Sequence, residues 1–241
     1  MEIRVSGNTH IGMMRGGNED AYGVYPELSL YIVADGLGGH AGGEVASRMA
    51  VEIVKEEMAS VSDIADAKSS IVEAIKTADS GILRKAKNEH SLYGMGTTIV
   101  VLKIEGYKAT VAHVGDSRAY LIRDNAIIQF TRDHTVVEEY VRMGMLTAKD
   151  MAYHPSRHAL SRALGSADDV DVDVSDVQLK IDDTMILCTD GLTNMLPDRE
   201  ILSTVCESRP SSEKITERLI SLANRNGGVD NITVITICVI E

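Results

Sequence analysis

Tyr31-Ile32-Val33-Ala34-Asp35-Gly36-Leu37-Gly38-Gly39-His40 decides how the chain is read. An apolar run with strand character stops at an acid and enters a glycine-rich bend. From residue 44 to 58, Val45, Met49, Val51, Ile53, Val54 and Met58 then fall at mostly helical spacing. The stretch therefore places a carboxylate at a strand end, with permissive backbone beside it and a helix leaving. The device recurs: Met185-Ile186-Leu187-Cys188-Thr189 runs into Asp190-Gly191, and Val111-Ala112-His113-Val114 runs into Gly115-Asp116. Any single Asp-Gly is an ordinary turn. Three of them, together with Glu19-Asp20 and Asp230-Asn231, point to an oxygen-ligand metal site, because strands fix carboxylates and glycine admits an ion close to the backbone.

A chain of 241 residues suffices for one large domain or two small ones, and 44% hydrophobic with 25% charged residues is ordinary for a globular protein. With no Trp and one Phe the core must be mainly aliphatic, with Met filling gaps. The net charge of −12 argues against nucleic acid or an anionic membrane as partner. No signal segment opens the chain, and no apolar run approaches the roughly 20 residues of a membrane helix. Cys188, Cys206 and Cys238 lack CxxC spacing and read as buried free thiols, which places the protein in the cytoplasm.

Taken in order, residues 2–12 read as an edge strand, 15–22 as a bend carrying Arg15 and two acids, and 28–34 as a strand. Helices are expected over 44–58 and 63–87, so the chain does not alternate strand and helix. Strands at 97–104 and 108–114 precede a hairpin around Arg123-Asp124-Asn125. Residues 131–166 are polar, rich in Arg, His and Met, and irregular, with a short helix at 135–143 that Thr135 and Glu138 would open as a capping box. The Asp/Val alternation over 168–176 reads as a strand with a solvated acidic face, since it lacks the glycine and terminal glutamate of an EF-hand loop. Helices near 198–206 and 212–226 and a strand at 232–239 close the chain. Short turns between successive strands imply antiparallel pairing. The expected fold class is α+β: one domain over 1–241, an αββα sandwich of two mainly antiparallel sheets flanked by helix pairs. No apolar helix seam calls for a dimer, and the chain reads as a monomer.

The candidate ligands Glu19, Asp20, Asp35, Asp116, Asp190 and Asp230 are all oxygen donors, which favours Mg or Mn over Zn, and the seven His show no ligand spacing. Carboxylates around two ions would lower the pKa of a shared water and aim it at phosphorus. Arg15, four residues before Glu19, could present its fork to phosphoryl oxygens. Rival chemistries lack their signatures. No Cys is followed by Arg at the sixth position, and no Gly-Lys-Ser/Thr occurs. The match of 36–41 to a dinucleotide fingerprint would set Asp35 against a pyrophosphate of like charge.

These residues resemble the bacterial-type metal-dependent protein phosphatase 2C family over nearly the whole chain. The motifs fall in family order: Arg15 with Asn18-Glu19-Asp20, the stretch 33–40, Gly94-Met95-Gly96-Thr97-Thr98, Gly115-Asp116-Ser117-Arg118, Asp190-Gly191-Leu192 and Asp230-Asn231-Ile232-Thr233. The resemblance implies that Asp35, Asp190 and Asp230 hold a first Mn or Mg ion. Glu19, Asp35 and the Gly36 carbonyl would hold a second, and Asp116 with Asp190 match a third. Asp20 would bind metal waters, Arg15 the substrate phosphate, and 131–166 would be a flap bordering the site. The implied catalytic set is Arg15, Asp20 and Asp35, acting on phosphoserine and phosphothreonine of proteins against a serine/threonine kinase in signal transduction. One departure is Leu37, where eukaryotic members carry a His that serves as candidate general acid. His40 reads as a residue that fixes the glycine loop, and Leu37 as one that packs. Two alternatives remain: a pseudo-phosphatase that binds a phosphoprotein or kinase without hydrolysing it, which should have lost ligands, and a phosphatase for an anti-anti-sigma-type regulator or a small phosphoester.

Overall fold

The computed structural model describes residues 2–38, 41–60, 66–151, 153–166 and 169–241. The chain opens with β1 (Ile3–His10), β2 (Ala21–Tyr25), β3 (Leu30–Ala34) and the short β4 (Gly36–Leu37). Two helices follow, α1 (Ala41–Ser60) and α2 (Ala67–Asn88). Next come β5 (Gly96–Thr97), β6 (Ile99–Glu105), β7 (Lys108–Val114), β8 (Arg118–Arg123) and β9 (Ala126–Gln129). Residues 131–166, the stretch expected to be a flap, carry α3 (Val136–Arg142) and α4 (Ala148–Met151). The remainder is β10 (Asp173–Gln178), β11 (Thr184–Cys188), α5 (Asp190–Thr193), α6 (Asp198–Ser208), α7 (Ser212–Arg225) and β12 (Ile232–Val239).

Two five-stranded antiparallel sheets form, in the orders β1-β12-β11-β8-β9 and β10-β7-β6-β3-β2. Alternate residues of each strand face opposite ways, and here both directions are covered. Tyr31, Val33, Leu102 and Val111 meet Leu121, Met185, Leu187 and Ile235 between the sheets. Leu30, Ile32, Val101 and Ala112 turn outward against Val54, Ile71, Ile75 and Ile82 of α1 and α2. On the other side Tyr120, Ile186 and Val234 meet Ile201, Val205, Ile215 and Leu219 of α6 and α7. Burial on both faces is why β3 and residues 185–188 of β11 read as uninterrupted apolar runs rather than alternating ones. The result is the expected αββα arrangement.

Several local expectations are refined. β1 is an edge strand as read, and the hairpin turns at Asp124 and Asn125, with φ of 51° and 59°. The bend at 15–22 runs into a strand, β2, that the sequence reading left out. The acidic strand is Asp173–Gln178, an edge strand on β7. Asp168, His40 and the start of the second expected helix lie outside the described residues. Only half of the capping box forms: Thr135 Oγ1 accepts from the Glu138 amide at 3.3 Å, while the Glu138 carboxylate turns to Arg132 at 3.1 Å. Cys188 and Cys238 are buried free thiols, but Cys206 is half-buried. Among the described residues, no helix is long and apolar enough to cross a membrane.

Candidate active site

Strand register explains why distant acids meet. β3 and β7 both pair antiparallel with β6, so they run in the same direction and release Asp35 and Asp116 at one end. Ala21 pairs with Ala34, which sets Glu19 and Asp20 beside Asp35. Cys188 pairs with Val234 and His10 with Ile232, which brings Asp190, Asp230 and the loop carrying Arg15 to that same end. Arg15, Glu19, Asp35, Gly36, Asp116, Asp190 and Asp230 all line one cleft of 90 Å³. Asp20 is buried behind it. All the site residues expected from sequence therefore converge.

The supports are specific. Thr97 Oγ1 and the Thr98 amide donate to the Asp35 carbonyl at 2.8 and 2.9 Å, and the Asp35 amide donates to Thr98 Oγ1 at 3.0 Å. This is the work of the glycine- and threonine-rich motif at 94–98. Asn231 accepts from the Glu19 amide at 2.8 Å and donates to the carbonyls of Ile11 and Gly17, both at 2.9 Å, tying the arginine loop to β12. Arg15 Nη2 lies 2.6 Å from Asp230 Oδ2, and Asn194 donates to Asp190 Oδ2 at 3.0 Å. A Cβ on Gly36 would stand 2.4 Å from the Glu19 carbonyl oxygen, and one on Gly43 would stand 1.9 Å from Glu19 Oε2, so Gly36 admits the Glu19 backbone and Gly43 makes room for its side chain.

Burial, reinforced by the neighbouring carboxylates, holds Asp35 well above the usual range, raises Asp190, and moves Asp20 and Asp116 to about 7. Asp20 Oδ2 accepts from Thr189 at 2.9 Å and from Thr233 at 2.6 Å, whereas Asp20 Oδ1 is buried with no partner. Crowded carboxylates, a buried orphan oxygen and an all-oxygen donor set fit a hard divalent cation. Folded Asp20 and Asp116 keep protons that the unfolded chain, with carboxyl pKa near 3.9, releases between about pH 4 and 7. Their contribution to ion-free stability is present at acid pH and lost as pH rises through about 7. Cations compete with those protons. The rise in Tm on adding Mn should grow from about pH 5 to about pH 7.5 in thermal melts, and a pH-independent rise would contradict the assignment.

The structure adds residues that the sequence reading did not assign. His158 and Leu160 of the flap line the cleft, and Leu37, half-buried and paired with Gly96, forms part of its wall. Thr189 and Thr233 hold Asp20; each stands beside a motif acid or within a motif, the only local signal they give. Away from the cleft, His113 and His134 stack with ring centroids 4.6 Å apart, and with Asp173 they form a cluster of metal-ligating groups that spacing did not suggest. Arg162 already fills the cationic place there, 2.9 Å from Asp173 Oδ1 and 3.4 Å from His134 Nε2. With the Gly115 amide donating to His134 Nδ1 at 3.2 Å, the cluster ties the flap to the loop that presents Asp116.

The family profile described as protein phosphatase 2C matches residues 8–232. The chain is 38% identical over 235 residues to the "Serine/threonine phosphatase stp" of Listeria welshimeri, covering 95% of this chain and 93% of that one. The Streptococcus agalactiae serine/threonine phosphatase structure superposes with a TM-score of 0.93 at 33% identity, covering 99% of this chain and all of that one. The catalytic domain of the serine/threonine protein phosphatase PstP, solved with two manganese ions, gives 0.88 at 32% identity over 99% of each chain. The profile match, the identity along the chain and the shared fold together show that the chain belongs to the protein phosphatase 2C family.

Proposed function

We propose that this protein is a serine/threonine phosphatase that removes phosphate from phosphoproteins at a two-ion Mn or Mg centre, opposing a serine/threonine kinase. The carrying observation is the convergence of Glu19, Asp35, Asp116, Asp190, Asp230 and Arg15 on one cleft, with the orphan Asp20 oxygen behind it. Asp35, Asp190 and Asp230 would hold one ion, and Glu19, Asp35 and the Gly36 carbonyl the other. Asp116 and Asp190 offer a third place. When bound, the ions lower the pKa of the attacking water and offset phosphoryl charge.

The chain's own residues do the rest. Arg15 presents its guanidinium to two phosphoryl oxygens and orients the ester for in-line attack. Asp20, through Oδ1, accepts a hydrogen bond from water in the cleft. Leu37 offers no proton, so the leaving alkoxide takes its proton from water. Among the described residues the cleft has no Cys or Ser on its wall, and in this reading attack on phosphorus falls to water rather than to a side chain. The two-manganese PstP structure supports the cofactor assignment.

Metal-stripped protein should hydrolyse neither a phosphothreonine peptide nor p-nitrophenyl phosphate, and both activities should return with Mn. Arg15→Ala should raise KM for the peptide about tenfold or more with a smaller change in kcat, the pattern of a lost phosphate contact. Peptide binding without turnover in Mn would instead mark a silent phosphoprotein-binding protein.

A further inference from the structure

Beside the acidic cleft lies a second cavity of 310 Å³ that shares Asp116, Asp190 and His158 with it. The two are therefore neighbours along one surface, with the flap forming the outer wall of both. Val137 and Met151 give the cavity an apolar side. Two guanidinium groups also line it, and they differ. Arg118 is neutralised by Asp133, with bonds of 2.9 and 2.6 Å to its two carboxylate oxygens. Arg157, on the flap, is exposed, and among the described residues its guanidinium makes no ion pair or hydrogen bond. Asp116 and Asp190 belong to the proposed ion centre. What remains for a ligand is one uncompensated guanidinium at the edge of a partly apolar pocket, next to the place where a phosphoryl group would sit.

We infer that this cavity is a specificity subsite, in which Arg157 binds the carboxylate of an Asp or Glu flanking the phosphorylated residue of the substrate. The inference rests on the phosphatase reading above and names the substrate class it favours. A guanidinium fork matches a carboxylate in two parallel hydrogen bonds, and one positive charge balances one carboxylate. A second phosphoryl dianion would leave surplus charge facing Asp116, Asp133 and Asp190. The aliphatic part of Glu suits the Val137 and Met151 side. Substrate selection in a chain of net charge −12 would otherwise work against acidic segments, so an unpaired arginine at the site is a selective feature.

The test is a set of phosphothreonine peptides in which Glu, Ala or phosphoserine is scanned over the flanking positions, assayed in Mn with p-nitrophenyl phosphate in parallel. The wild type should favour a Glu-flanked peptide over its Ala counterpart by about five- to tenfold in kcat/KM, mostly through KM. Arg157→Met should erase that preference, Arg157→Lys should keep part of it, and neither should change turnover of the small ester. Added salt should shrink the preference. Equal losses on Glu and Ala peptides in Arg157→Met, no Glu preference in the wild type, or a preference for phosphoserine alone would each overturn the assignment. Wild type that leaves the small ester and every peptide intact would overturn the phosphatase reading, and the subsite with it.

Discussion

Asp35→Asn should abolish turnover and raise the melting temperature of the ion-free protein. Asp35 is the ligand expected to touch both ions, so its loss should lower kcat by about a thousandfold or more, beyond the 10–100-fold typical of an outer-shell partner. The fold should survive, because what Thr97 and Thr98 hold is the Asp35 backbone, which asparagine retains. Stability should increase, since the carboxyl is buried and faces Asp20, Asp190, Asp116 and Asp230, all of like sign. Relief of about 1 kcal/mol corresponds to roughly 2–4 °C in a domain of this size. Activity loss paired with a higher ion-free Tm separates a functional acid from a structural one. A lower Tm with retained turnover would remove Asp35 from the centre.

Gly43→Ala should have the second-largest effect, although Gly43 is no ligand. Its added methyl would fall 1.9 Å from Glu19 Oε2 and 2.9 Å from the Gly36 carbonyl carbon. The Glu19 carboxylate is the movable partner, so it should swing away while α1 stays folded. The expected outcome is a loss of about a hundredfold in kcat, comparable to a severe outer-shell defect, with Mn affinity reduced and Tm lowered by the 2.9 Å approach to the Gly36 backbone. Titration of Mn into the variant checks this, and normal Mn affinity would show that Glu19 is not held as described.

The legible part of the sequence was the part written locally. Asp35, Asp116 and Asp190 each follow an apolar strand and adjoin glycine, and both faces of those strands are covered, so their composition and their ends were visible together. The supporting contacts were not written locally. The Asn231–Glu19 bond joins residues 212 positions apart, and the Thr233–Asp20 bond spans 213. Both depend on strand register rather than on any neighbouring pattern. His113 and His134 likewise meet only because β7 and the start of the flap lie side by side. Glu138 has the spacing of a capping box yet prefers Arg132, a case of tertiary electrostatics overriding local preference. Arg157 was hidden for a further reason: a lone arginine in a basic, irregular stretch carries no signal until its lack of a partner is seen.

The most direct test of the ion centre is the number of Mn ions bound at equilibrium by metal-free protein near pH 7.5, measured calorimetrically in buffers of different ionisation enthalpy. At least two ions should bind per chain, with proton uptake by the buffer as Asp20 and Asp116 give up their protons, and the tight sites should be lost in Asp35→Asn. Fewer than two ions, or binding unchanged by Asp35→Asn, would contradict the ion centre.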